Sequence, residues 1–396
     1  MTLDIENLYQ IFAFILTFLF ALYLLLTKTK ERTANVYIGL FILFMSMDNL
    51  DTLLMKTSFY NEHPVFYFWI VSTSFLFAPL MYFYIRAVAY KGIKLKWSDS
   101  IHAIPFILFL VVTISQYHLQ PKEIQLKILT TTDGFNAWFL PVSKALLHLQ
   151  ALTYMVLSIR VVLRFKKIVK ENYSSVNKRN YLWILQLTFV FVYFVVSGLI
   201  INIIRFGADR SYEGILFYVL APINIAFLIW LIYKALSQPY LFNGIDANIK
   251  LLEEYLKEKE QLQKETETDT SVNQPDLLDS ELKIKLDNYM EVQEPYLDPS
   301  LSLYELAKGL ELSSLELSVF LNKQLGKNFF DFINEYRINK AKEMLEDPGK
   351  NKFTILEILY DVGFNSKSSF NTAFKKNTGF TPTEYRRKYV LSPDKN

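Results

Sequence analysis

Seven runs of about twenty mostly apolar residues constrain this 396-residue chain more than any other feature. They fall at 8–27, 36–56, 64–85, 101–118, 137–159, 181–204 and 214–236. A helix of that length crosses the roughly 30 Å hydrocarbon core of a bilayer, so the pattern predicts a bundle of seven transmembrane helices. The first run is uncharged from Leu8 to Thr27 and follows Asp4 and Glu6, not basic residues. It therefore reads as a span of the mature protein and not a cleaved leader.

Charge divides the chain at the end of the last run. Residues 1–236 hold 21 Lys+Arg and 12 Asp+Glu, whereas the remaining 160 hold 21 and 27. The net charge of +3 thus combines +9 in the apolar part with −6 in the polar part. The absence of cysteine excludes a disulfide scaffold, a thiolate metal site and a cysteine nucleophile, and with only four histidines no metal or cofactor is expected.

Basic residues near span ends are retained in the cytoplasm, which gives the bundle a direction. The segments after the first, third and fifth runs hold fourteen of them: Lys28, Lys30 and Arg32; Arg86, Lys91, Lys94 and Lys96; and Arg160, Arg164, Lys166, Lys167, Lys170, Lys178 and Arg179. The other side holds five, Lys56, Lys122, Lys127, Arg205 and Arg210. The expectation is a bacterial inner-membrane protein with its N-terminus outside and its C-terminal part in the cytoplasm. The external loops are too short for a folded external domain, the longest running from Leu119 to Asn136.

Ionisable residues within spans are costly and mark candidate sites. Asp48 and Asp51 share one face of the second span, and Lys144 and His148 share one face of the fifth. Asp48 and Lys144 each lie about 12 Å from the outer ends of their spans, which permits a pair inside the bundle. These four residues are the candidate ligand site, open to the outside; a structural ion pair is the alternative, and Asn202, Asn224 and the Pro222 break are candidates to line the same space.

Residues 237–280 read as a joint. Ile249, Leu252, Tyr255, Leu256 and Leu262 recur at helical spacing, with Lys259 on the apolar seam. They predict either a short coiled coil that pairs two chains or a single stalk helix. Thr266 to Ser280 lacks apolar periodicity and reads as a flexible linker.

Residues 281–396 show short amphipathic helices and no strand alternation. Leu301–Leu310 and Ser313–Leu325 form one predicted pair across a turn at Gly309 and Glu311; Thr354–Val362 and Ser366–Asn377 form another across Gly363-Phe364-Asn365. A long helix, Phe329–Glu346, joins the pairs. This is the plan of two helix-turn-helix units, and the fold class of the chain is all-α. Gly363 supplies the positive φ of the turn and Phe364 plugs the core beneath it. Phe370 and Phe374 bury the rear of the second recognition helix, leaving Ser366, Lys367, Ser369, Asn371, Thr372 and Lys375 outward. In the first unit the outward set is Ser314, Glu316, Ser318, Val319, Asn322 and Lys323. Hydroxyls, amides and cations on such a face suit base edges and phosphates of double-stranded DNA.

The stretch GFNSKSSFNTAFKKNTGFTPTEYRR, Gly363 to Arg387, resembles the signature of the AraC/XylS transcription regulators, and FINEYRINKAKEML, Phe332 to Leu345, resembles their linker helix. The resemblance runs from Pro295 to Tyr389. It implies base reading by Ser369, Asn371, Thr372 and their neighbours, and phosphate contact by Lys375, Lys376, Arg386 and Arg387. Where many relatives carry Arg this chain has Asn322 and Thr372, which implies weaker binding that depends on pairing of two chains. Seven spans ahead of such a domain are also similar to membrane-bound AraC-type regulators of the Bacteroidota. The implied function is a membrane-anchored, sequence-specific transcription regulator that couples a membrane signal to gene expression. No enzyme is implied: the polar part has no Gly-rich phosphate loop and no histidine follows His148. A receptor or transporter whose C-terminal domain binds a protein partner is the alternative.

Overall fold

The computed structural model describes residues 5–27, 32–91, 93, 96–131, 134–174, 178–207, 212–237, 245–246, 275–350 and 352–390. The chain is almost entirely helical and divides into two compact units, Met1–Leu163 with Lys178–Ala247, and Arg164–Asn177 with Asn248–Asn396. The expected stalk helix at 249–262 lies outside the described residues.

The first unit is built from α1 (Ile5–Leu26), α2 (Arg32–Met55), α3 (Phe77–Ala89), α4 (Ile104–Thr113), α5 (Lys122–Thr130), α6 (Phe135–Asn172, shared with the second unit), α7 (Lys178–Gly207) and α8 (Tyr212–Ser237). Helix α1 packs along α2, α2 on α3, α3 on α7, and α8 on both α7 and α1. A two-residue parallel pairing joins β1 (Tyr90–Lys91) to β2 (Ile245–Asp246). Among the described residues six helical stretches are long and apolar enough to cross a membrane, Ile5–Leu26, Arg32–Met55, Pro64–Ala89, Trp97–His118, Phe135–Asn172 and Tyr181–Ile204; the described apolar part of α8 is the shorter Tyr218–Lys234.

The third stretch is not one straight helix. Short turns at Pro64–Phe66, Trp69–Ser72 and Thr73–Leu76 precede α3. Phe68 breaks the run by adopting a left-handed backbone, φ 62°, with its ring buried. That ring packs edge-on against Phe109, Tyr117 and Phe139, which repays a conformation an L-residue rarely adopts.

The second unit contains α9 (Pro275–Gln293), α10 (Leu303–Gly309), α11 (Ser314–Val319, continued by a wider turn Phe320–Gln324), α12 (Phe329–Glu346), α13 (Ile355–Asp361), α14 (Lys367–Thr378) and α15 (Pro382–Val390). Helix α9 begins inside the stretch expected to be linker, so 275–280 is helical instead. Proline suits a first helical position because the N–H it lacks would be unpaired there anyway. Farther along, Leu286 and Met290 bury fully, one helical turn apart.

Two apolar cores share the length of α12. Phe329, Phe332 and Ile333 join Leu306, Leu310, Leu317 and Leu321 in the first. Ile338, Ala341 and Leu345 join Ile358, Leu359, Phe370 and Phe374 in the second. One rigid helix thus fixes the spacing of the two helix pairs.

Candidate nucleic-acid interface and an internal polar cavity

Four helices of the second unit, α10, α11, α13 and α15, start on a reciprocal cap. The N–H of Ser313 donates to Glu316 Oε2 at 2.8 Å and the N–H of Glu316 donates to Ser313 Oγ at 3.2 Å. Thr354 with Glu357 and Thr381 with Glu384 repeat the arrangement. Backbone N–H donors hold Glu316, Glu357 and Glu384 below the usual carboxylate range. Glu316, expected on the outward face, is therefore committed to holding α11.

Helix α14 presents the second expected face. Gly363 has φ +85°, and a Cβ there would lie 2.6 Å from the carbonyl oxygens of Tyr296 and Leu297. Phe370 and Phe374 are fully buried. Lys367, Thr372 and Lys375 are exposed, and Ser369 and Asn371 half-buried. Arg387 and Lys388 are exposed on α15. Lys388, absent from the expected set, adds a cation and stacks over Phe380 with its Nζ 4.4 Å from the ring centre.

Several expected contact residues are engaged within the domain, Thr372 among them, its hydroxyl donating to the Ser368 carbonyl at 2.7 Å. Ser366 is the N-cap of α14: its Oγ accepts the Ser369 N–H at 3.2 Å and bonds Ser369 Oγ at 2.8 Å. Lys376 pairs with Asp331 of α12 at 2.9 Å. Arg386 donates from Nη1 to the Phe353 carbonyl at 2.8 Å, its Nε and Nη2 buried without a partner. Ser318 is 7% exposed, which corrects its outward assignment; it lies three residues before the buried Leu321, on the same flank of a short, closely packed helix. Ser314 is half-buried, Lys323 exposed, and Asn322 donates to the Ser318 carbonyl at 2.8 Å.

Arg337 was not singled out by its sequence pattern. It lies on α12 between the two cores and is fully buried. Its Nε donates to the Tyr296 carbonyl at 2.6 Å, Nη2 to the Asp298 carbonyl at 2.7 Å and to Ser174 Oγ at 3.0 Å, and Nη1 to the Ser174 carbonyl at 3.1 Å. The Ser174 N–H in turn donates to the Leu301 carbonyl at 3.0 Å. Arg337 also lies over the Phe364 ring at 5.6 Å. Burial pushes the guanidinium down to about 10, so it keeps its charge near neutrality. The available signal was a lone Arg on the stripe Ile333, Arg337, Ala341.

In the first unit, Asp48, Lys144 and His148 line one cavity of about 420 Å³. Asn202 and Asn224 line it too, as expected; Pro222 is not among the lining residues. Asp48 keeps accessible surface because it borders this space. Asp51 does not join them: it is 5% exposed and accepts a hydrogen bond from the Tyr60 hydroxyl. It stands three residues after Asp48, and the offset carries it toward the turn that holds Tyr60. Tyr9, Thr17 and Ser74, which sequence reasoning did not name, also line the cavity.

Comparison with known proteins places a family match within the second unit. Residues 306–388 match a family described as a helix-turn-helix domain. An uncharacterized HTH-type transcriptional regulator of Bacillus subtilis, YdeC, is 32% identical over 87 residues, covering 22% of this chain and 29% of the relative. The Msm operon regulatory protein of Streptococcus mutans is 32% identical over 88 residues, 22% of this chain and 31% of its own. The chain thus spans about a third of the length of these relatives. Histidine kinase P4 of Formosa agariphila is 35% identical over 86 residues, only 6% of that protein and confined to the helix-turn-helix region. Among solved structures, the C-terminal domain of AraT, a response regulator from Geobacillus stearothermophilus, is 27% identical with a TM-score of 0.25, covering 32% of this chain and 95% of that one.

Proposed function

We propose that this chain is a membrane-anchored, sequence-specific transcription regulator in which the first unit receives a signal and the second binds double-stranded DNA. The observation that carries the reading is the coincidence of the helix-turn-helix match at 306–388 with the polar, cationic face of α14 and α15. Ser369, Asn371 and Thr372 read base edges, and Lys367, Lys375, Arg387 and Lys388 meet phosphates. Ser314, Asn322 and Lys323 serve the first helix pair, and no catalytic step is involved.

Anchoring by seven spans is supported by the apolar exterior of the first unit. Leu8, Phe12, Ile15 and Leu19 of α1 and Leu146, Leu149 and Val156 of α6 face outward, whereas Asn7, Thr17, Ser46 and Asp51 are buried. An apolar exterior, with polar side chains withdrawn into an interior that also holds a large apolar core, suits a lipid solvent. The test is retardation of DNA from the chain's own promoter region by the full-length protein in detergent, with unrelated DNA as competitor. Sequence-specific retardation supports the reading; none at low salt defeats it and favours a protein partner.

A further inference from the structure

The cavity of the first unit has walls of two kinds. One is aromatic, formed by Phe41, Phe77, Phe191, Phe194 and Phe227. The other is polar, and its members interact. Asp48 and Lys144 both line it, and Asn202 faces His148 Nε2 from its amide nitrogen at 3.0 Å. That amide nitrogen also donates to the Gly198 carbonyl at 2.9 Å, which fixes it as the donor side of Asn202. His148 Nε2 therefore takes the acceptor role in this contact.

The charge balance of the space follows. Asp51, bonded to Tyr60, lies outside the lining but close enough to act on it; the described lining itself holds one carboxylate, Asp48, and one ammonium, Lys144. In a low-dielectric interior a guest with a net charge adds an uncompensated charge, which is costly. A guest with one charge of each sign adds none and offers each wall residue a counter-charge. The volume lies within the range of small-molecule sites, roughly 300–1,000 Å³, and a few polar groups in an aromatic enclosure fix orientation.

We propose that this cavity binds a small zwitterion with an apolar body, the chemistry of an apolar amino acid or dipeptide, its ammonium toward Asp48 and its carboxylate toward Lys144. The aromatic wall takes the apolar body, and the Asn202 and His148 pair borders the charged end. This inference rests on the reading of the first unit as the signal-receiving part and names the class of signal.

The test uses the full-length protein in detergent, with calorimetry and thermal denaturation. The probes are L-phenylalanine and L-leucyl-L-phenylalanine, their N-acetylated forms, which keep only the anion, their amides, which keep only the cation, and palmitate. The expected result is saturable binding of at least one zwitterion with a raised Tm, and affinity lower by about tenfold or more for each singly charged form. Asp48→Asn should abolish the preference over the N-acetylated form, and Lys144→Met the preference over the amide. Should either variant fail to fold, the derivative series on the unaltered protein decides alone. No saturable zwitterion binding, equal binding of all charge forms, or binding of palmitate alone overturns the proposal. Promoter DNA retardation by the same sample separates the two ideas. Retained DNA binding without zwitterion binding sinks only this inference, and the reverse sinks only the regulator reading.

Discussion

Arg337 holds four oxygens from two separate segments, and its energetic weight follows from its isolation between two apolar cores. Lysine cannot reproduce a planar fork, so Arg337→Lys leaves carbonyls unpaired, and a loss of about 2–4 kcal/mol is expected. Ser174→Ala removes one acceptor and should cost about 1 kcal/mol. Denaturation midpoints of the full chain, read with hydrogen exchange of the α12 amides, check both; equal effects would refute the assignment of Arg337 as the hub. The capping carboxylates give a second prediction. Glu316, Glu357 and Glu384 sit below their ordinary 4.5 in the folded state, so the unfolded chain binds protons more readily. Their contribution is complete above 4.5 and lost as pH falls through the lower folded values. Stability of the second unit should decline between about pH 5 and 3, and Glu357→Gln should flatten part of that decline. At this scale Gly363, Phe370 and Phe374 were legible from spacing. Ser318, Ser366 and Arg337 were not. A serine beside a helix start reads as outward until the first hydrogen-bonded residue is known, and a charge on a buried stripe reads as an exception until its partners, one of them 163 residues away, are seen.

Among elements, α12 and the turn before α14 decide how the two helix pairs are held. Gly363 meets fixed backbone oxygens of the 296–297 segment, which also supplies an acceptor to Arg337. A Cβ at 2.6 Å from two such oxygens, at a φ that L side chains resist, has no flexible neighbour to displace. Gly363→Ala should therefore destabilise the second unit by more than about 2 kcal/mol, as thermal denaturation would read; a change within about 0.5 kcal/mol would show that the 296–297 segment yields. Helix order in this unit was legible because apolar residues recur every three or four positions between caps. The helical breaks at 64–76 were hidden, since an apolar run looks the same whether straight or broken, and Phe68 gives no glycine-like warning of a left-handed turn. The extension of α6 to Asn172 was hidden for the opposite reason: Arg160, Arg164, Lys166 and Lys167 end the apolar run without ending the helix.

For the molecule as a whole, the asymmetry of basic loops predicts topology and the cationic face predicts binding. Reporter fusions after Thr27, Ala89, Lys170 and Asn396 should read cytoplasmic, and a fusion between Gln120 and Asp133 external; an exchange of any of these would remove the seven-span model. The final prediction separates side chains that contact DNA from those that hold the domain. Each phosphate neutralised by a cation releases counterions, so the logarithm of the binding constant should fall with the logarithm of salt by about 0.9 per contact. Arg387 is exposed, and Arg387→Ala should reduce that slope by about one while leaving Tm unchanged. Arg386 donates to the Phe353 carbonyl, so Arg386→Ala should lower Tm and leave the slope closer to its original value. Asn371→Ala, on the face of α14, should shift base preference at one or two positions by about 1–3 kcal/mol with little change in slope. The three variants move three different observables because a phosphate contact, a structural hydrogen bond and a base contact respond to salt, heat and sequence respectively. Identical responses from all three would mean that α14 and α15 do not face the nucleic acid.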